Sequence, residues 1–157
     1  MNIQKIKSFE VDHTVLLPGM YISRVDGDVT TFDLRTRRPN AGDYMDHATM
    51  HTFEHLFATY IRSSEIGAFV LYFGPMGCQT GFYLLTRDVS PNDVYRATLA
   101  VLGQILAHTG EVFGASETEC GNYRNLTLTA AQTEAKRYLD VLIERGGTDF
   151  SYEGESK

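Results

Sequence analysis

Apolar side chains at Met50, Phe53, Leu56, Phe57, Tyr60 and Ile61 recur every three to four positions. That spacing is one face of a helix packing on a core, and it predicts a helix from about Asp43 to Ser63. Upstream, YISRVDGDVTTFDLR reads as two alternating segments flanking Asp26-Gly27, a pair that takes the positive φ of a tight hairpin turn. Residues 4–12 are short and mixed, an expected edge strand, and RTRRPNAGDYMD reads as a loop. After the helix, AFVLYFGPMGCQTGFYLLTR holds two strand-like runs around a break at Gly74-Pro75-Met76-Gly77, with Cys78 opening the second. Ser90-Pro91 starts a further helix by capping and a proline in its first turn, and that helix is expected to stop at Gly110. Thr129 through Gln132 resembles a capping box opening a last helix, and the acidic tail after about Gly147 is expected to fray. The order β-β-β-α-β-β-α-α predicts an α+β fold, an antiparallel sheet with helices packed on one face.

Length and charge narrow the picture. The 157 residues suit a single domain with one substantial core, and 43% apolar with 22% charged residues is ordinary for a globular protein. A net charge of −6 without basic clusters argues against nucleic-acid binding. No apolar run approaches membrane-spanning length and the start lacks a signal-peptide core, so no membrane partner and a cytoplasmic location are expected. The two cysteines, Cys78 and Cys120, are too few for a disulfide framework, and as thiols both are candidates for metal ligation or proton transfer.

The candidate chemistry centres on His51-Thr52-Phe53-Glu54-His55. At about 100° per residue, Glu54 falls about 60° to one side of His51 and His55 about 40° to the other. Two imidazoles one turn apart can grip one cation while the carboxylate stays close enough to move protons. A single helical histidine is more often an ordinary core or surface residue. Two at this spacing, with an acid between them and an apolar back face, point to a metal site. His47 lies one turn upstream on the same face and reads as a solvated first-turn residue beside Asp43 and Asp46.

These residues, taken with others, carry a family resemblance. Ser8-Phe9 with Asp12-His13, Phe32-Asp33-Leu34-Arg35 with Pro39-Asn40, His51 through Leu56, Arg62, Gly74 through Tyr83, and Glu119-Cys120-Gly121 occur in the order of the LuxS family, the S-ribosylhomocysteine lyases. The chain resembles that family over roughly residues 8 to 145. The resemblance implies a homodimer with sites near the subunit contact. It implies cleavage of S-ribosylhomocysteine to homocysteine and dihydroxypentanedione, the precursor of a furanone signalling molecule. One divalent metal, Fe(II) or in its place Zn(II) or Co(II), is implied at His51, His55 and Cys120. Glu54 and Cys78 correspond to the family's proton carriers, and Ser8, His13, Arg35 and Arg62 to substrate-side residues. Three positions differ from the family's habit: Tyr72 stands where an aspartate is common, Thr36 where a phenylalanine is common, and residues 125–128 lack a frequent histidine.

The chemistry explains the residue types. The substrate's C–S bond is unactivated until a carbonyl stands near it, so two proton-shuffling isomerisations must carry the carbonyl down the sugar before the thiolate leaves. Each isomerisation needs a base, an acid and a cation to hold developing negative charge. The glycines at 74, 77 and 81 let backbone approach a ligand closely beside Cys78, which would otherwise read as a small apolar residue in a turn. Two other readings compete. His-x-x-Glu-His is also the inverted-zincin peptidase pattern, with Glu117 or Glu134 as third ligand. A metal-stabilised binding module would instead close its fourth position with His47 or Cys78.

Overall fold

A computed structural model describes residues 1–153. Strands β1 (Gly19–Asp26) and β2 (Val29–Arg35) form the expected hairpin, with Gly27 at φ +63° in its turn. Helix α1 (His47–Arg62), strands β3 (Val70–Pro75) and β4 (Gly81–Arg87), and helices α2 (Pro91–Ala107) and α3 (Leu128–Arg145) follow. The sheet has the order β1-β2-β4-β3 with every neighbouring pair antiparallel. Helix α1 packs on β3, α3 reaches β1, and α2 packs against α1 and α3. The fold is α+β and forms one domain, as the pattern implied.

Strand periodicity divides the sheet's two faces. Phe32 and Leu34 of β2 point with Phe82 and Leu84 of β4 into the main core, where Phe53 and Phe57 of α1 meet them. Phe53 stacks on Phe82 at 4.8 Å and Phe57 on Phe73 at 4.3 Å. Such pairs add about 0.5–1.5 kcal/mol each beyond their buried area, and they fix which face α1 turns away from the sheet. On the opposite face Tyr21, Asp33 and Tyr83 stand in register across β1, β2 and β4. That face carries a second, smaller cluster of Leu16, Tyr21 and Tyr152.

Several boundaries differ from the sequence reading. Residues 4–12 form no strand; Lys7–Phe9 is a short, exposed 3-10 turn. The edge of β1 is met instead by the C-terminal segment, where Ile22 N donates to the Phe150 carbonyl at 2.7 Å. The observed order is therefore β-β-α-β-β-α-α. Helix α1 begins at His47 rather than Asp43, because the Asp46 side chain accepts from Thr49 N and caps it. Asp43 stays outside and pairs with Arg37 and Arg137. Helix α2 stops at Ala107, as His108 turns to extended backbone before Gly110 is reached.

The capping box at Thr129 does not form. Helix α3 starts at Leu128, and the Gln132 side chain reaches across to the carbonyls of Ile105, Leu106 and His108 at the end of α2. It satisfies another helix's C-terminus rather than its own N-terminus. Of the tail expected to fray, Phe150 packs on the main core and Tyr152 is buried against Tyr21. Residues 154–157 of that tail lie outside the described residues.

Candidate active site

The stacked rings on one side of α1 leave His51, Glu54 and His55 on the other, each partly buried. The loop between α2 and α3 folds over this face and brings Cys120 to it. The ligand atoms of His51, His55 and Cys120 all lie within 4.8 Å of one another. The sulfur of Cys120 is 3.3 Å from His51 Nε2, and the backbone N–H of Asn122 donates to the same sulfur at 3.4 Å. Among the described residues, this is the one such group of histidine, cysteine and acidic side chains.

Hydrogen bonds on the far side of both rings decide which nitrogen is available. His55 Nδ1–H donates to the Phe113 carbonyl at 2.7 Å. His51 Nδ1–H donates to the side-chain oxygen of Asn125, whose amide in turn donates to His47 Nδ1. With Nδ1 so engaged, each ring has Nε2 left to offer, and His51 turns it toward Cys120, the arrangement of histidines that ligate metals. Two imidazole nitrogens and one thiol sulfur suit a borderline divalent cation, so the cluster is compatible with a single metal site. Gly114 makes the loop's approach possible: its φ is +71°, and a Cβ there would meet His55 Nδ1 at 3.2 Å. Glu54 has no hydrogen-bond or ion-pair partner among the described residues, which leaves its carboxylate available beside the cluster.

Cys78 belongs to a second centre. It lies in the turn before β4, exposed, rather than on the strand. The turn is held by Gln79, which adopts φ +65° and exchanges hydrogen bonds with Met45, backbone and side chain both. Cys78 Sγ is 3.0 Å from Thr80 Oγ1 and 3.8 Å from Arg35 Nη1. Arg35 is only 2% exposed and donates twice to Asp33, at 3.1 and 2.7 Å, and once to Thr80 at 2.9 Å. Burial weighs against its charge, but the Asp33 carboxylate outweighs that and raises its pKa further.

His13, Pro39, Asn40, Tyr44, Cys78 and Thr80 share one recess. Ser8 lies near Tyr83, whose pKa burial and the Asp33 carboxylate raise above its ordinary value. Ser8, His13, Arg35 and Cys78 thus gather on the sheet side, apart from the histidine face of α1. Arg62 does not join either group: it ends α1, exposed, and donates to the carbonyls of Val70 and Leu71.

Several contributors escaped the sequence reading. Asn125, the Phe113 carbonyl and Gly114 order the two imidazoles, and only the positive-φ tendency of glycine gave any hint of one of them. Glu134, weighed as a peptidase ligand, is buried and forked against Arg37 at 3.0 and 2.6 Å, away from the histidines. His47 is exposed, as expected, though engaged by Asn125.

Comparison with known proteins gives this geometry a lineage. The family model for S-Ribosylhomocysteinase (LuxS) matches residues 6–148. The S-ribosylhomocysteine lyase of Desulfotalea psychrophila is 43% identical over 148 residues, covering 90% of this chain and 93% of that protein. Those of Finegoldia magna and Clostridium acetobutylicum are 41% and 43% identical over 145 and 146 residues, covering 89% of this chain and 92% of each relative. The chain belongs to the S-ribosylhomocysteinase (LuxS) family.

Proposed function

We infer that this chain is an enzyme, a carbon–sulfur lyase that cleaves S-ribosylhomocysteine to homocysteine and dihydroxypentanedione. The observation that carries the reading is the convergence of His51, His55 and Cys120 on the helix face that also bears Glu54, in a chain of this family. His51, His55 and Cys120 are the residues that would hold one divalent cation, Fe(II) in the cell with Zn(II) or Co(II) able to replace it. Bound there, the cation would supply Lewis acidity to the sugar's oxygens.

The chain's own side chains account for the proton traffic. In each isomerisation a base removes a proton from the carbon next to the carbonyl and an acid delivers one to the neighbouring carbon, so the carbonyl moves by one position with no net change in atoms. Two such moves place it where loss of a further proton expels the homocysteine thiolate, which then takes a proton. Glu54 and Cys78 are assigned this traffic. The Cys78 sulfur lies within reach of Arg35 Nη1 and Thr80 Oγ1, which hold it at the recess. Ser8 and His13, gathered on the same side, are assigned to substrate.

Because the Cys78 recess and the histidine face of α1 belong to different sides of the chain, a homodimer with sites near the subunit contact fits the arrangement. Exposed Phe9, Val15, Leu17 and Tyr44 offer apolar surface near the recess residues in sequence. Light scattering that gave a monomer mass for fully active protein would exclude the dimer. Among the described residues no helix is long and apolar enough to cross a membrane. The activity itself is tested by supplying S-ribosylhomocysteine to anaerobically purified protein and assaying free homocysteine thiol. Release at substoichiometric enzyme is expected, and none in the metal-loaded protein would reject the lyase.

A further inference from the structure

The C-terminal segment reaches the recess of Cys78 from behind. Tyr152 is 6% exposed, stacks on Tyr21 at 4.9 Å and 19°, and donates its hydroxyl to Asp33 Oδ2 at 2.8 Å. Asp33, 1% exposed, uses the same oxygen and its partner to receive Arg35. Arg35 has one nitrogen not turned to Asp33, Nη1, and it serves Thr80 and the Cys78 sulfur. Tyr152 lies outside residues 6–148, the span shared with the family model.

We propose that Tyr152 is a positioning residue for Cys78: its hydroxyl fixes the Asp33 carboxylate, which aims the Arg35 guanidinium at the sulfur. The physical logic runs along a buried chain of charge-assisted hydrogen bonds. A carboxylate that also accepts from a phenol shares its negative charge with that donor and neutralises its arginine less completely. The phenol also blocks rotation of the carboxylate, so the guanidinium plane keeps Nη1 at the recess rather than turning with its partner. The other groups that face Cys78 are His13 and Tyr44 in the recess and Tyr83 on β4, which also lies in the field of Asp33. The proposal rests on the lyase reading for what Cys78 does, but the contact chain stands independently of it.

The test compares Tyr152→Phe, which keeps the ring and its stacking, with Tyr21→Phe, which alters the other ring of the stack and leaves Asp33 alone. Among the described residues, Tyr21's hydroxyl donates to the Leu17 carbonyl. Alkylation of Cys78 by iodoacetamide, followed by mass spectrometry of its peptide to separate it from Cys120, is measured from pH 6 to 9.5. Tyr152→Phe is expected to displace the profile to higher pH and slow alkylation at pH 7 about threefold, because only the thiolate reacts. Its kcat for thiol release should fall about fivefold with KM nearly unchanged, part of the roughly 10²-fold contribution of a proton carrier. Tyr21→Phe should leave the alkylation profile where it is. A Tyr152→Phe profile that overlays the parent, or an equal displacement by Tyr21→Phe, overturns the proposal. Alkylation needs no substrate, so a parent protein that releases no homocysteine would reject the lyase without clouding this result.

Discussion

His51 Nε2 lies 3.3 Å from the Cys120 sulfur although 69 residues separate them in the chain. Neither local periodicity nor spacing holds that pair together; the α2–α3 loop does. The first prediction follows from it. Cys120→Ala should lose bound metal and thiol release together, measured by metal analysis and by the spectrum of a Co(II)-substituted form. Full occupancy with an unchanged spectrum would show that the ligand set is wrong. Asn125→Ala should keep the three ligands but weaken metal affinity by about 10–100-fold, the usual effect of losing an outer partner of a ligating histidine.

The residues proposed as proton carriers should separate cleanly from those proposed as ligands. Cys78→Ala and Glu54→Gln are each expected to retain metal and lose at least about 10²-fold in rate of homocysteine release. A peptidase would depend on Glu54 and barely on Cys78. Near-normal release from Cys78→Ala would refute the assigned chemistry.

Removal of the Glu134 carboxylate should destabilise the fold without changing the chemistry. Glu134 is 2% exposed and forks against Arg37, which also holds Asp43. Glu134→Ala strands a half-buried guanidinium, and a loss of about 3 kcal/mol is expected, the low end for a broken buried pair because Asp43 remains. Urea unfolding of the two proteins measures it; a loss below about 1 kcal/mol, the range of an exposed pair, would show that the fork contributes little.

Alkaline pH should unfold the chain through two tyrosines. Burial keeps the Tyr138 and Tyr152 hydroxyls protonated well past the ordinary 10.0, and the Asp33 charge adds to it. The folded state therefore binds these protons more tightly than the unfolded state. Their contribution is complete below pH 10.0 and declines as pH rises from there toward the folded values. Each pH unit in that window costs up to about 1.4 kcal/mol per tyrosine. Denaturant titrations between pH 9 and 11.5 should show a shallower decline for Tyr152→Phe than for the parent; equal slopes would remove Tyr152 from the account.

What the sequence disclosed follows the range of its signals. Helix α1, with His51, Glu54 and His55 on one side and Phe53 and Phe57 on the other, is a local pattern, and a 3.6-residue period reports it directly. The Asp26-Gly27 hairpin and the Ser90-Pro91 helix start are likewise local chemistry. Cys120 was joined to the histidines only by resemblance, because a loop has no period to say which way a side chain will face. The Phe113 carbonyl that orients His55 is backbone, and every residue has one. Residues 4–12 misled for a related reason: their mixed alternation is compatible with a strand, but Phe150 meets the β1 edge that such a strand needs. The tail misled because its polar composition hides Tyr152, whose burial depends on Tyr21 and Asp33 far upstream.

The loop that carries Cys120 is tied at both mouths. At one, Gln132 binds the last carbonyls of α2, and His108 accepts from Tyr60 while donating to the Glu111 carbonyl. At the other, Thr127 N donates to Thr52 on α1 at 2.7 Å. Closing a loop of this size costs about 3 kcal/mol in chain entropy, and helix packing bears that cost before any ion arrives. The Cys120 sulfur is thus held beside the two histidines by the fold, unlike small metal domains in which the ion itself gathers the chain. A cation held there would be exchangeable for another without the protein having to refold around it.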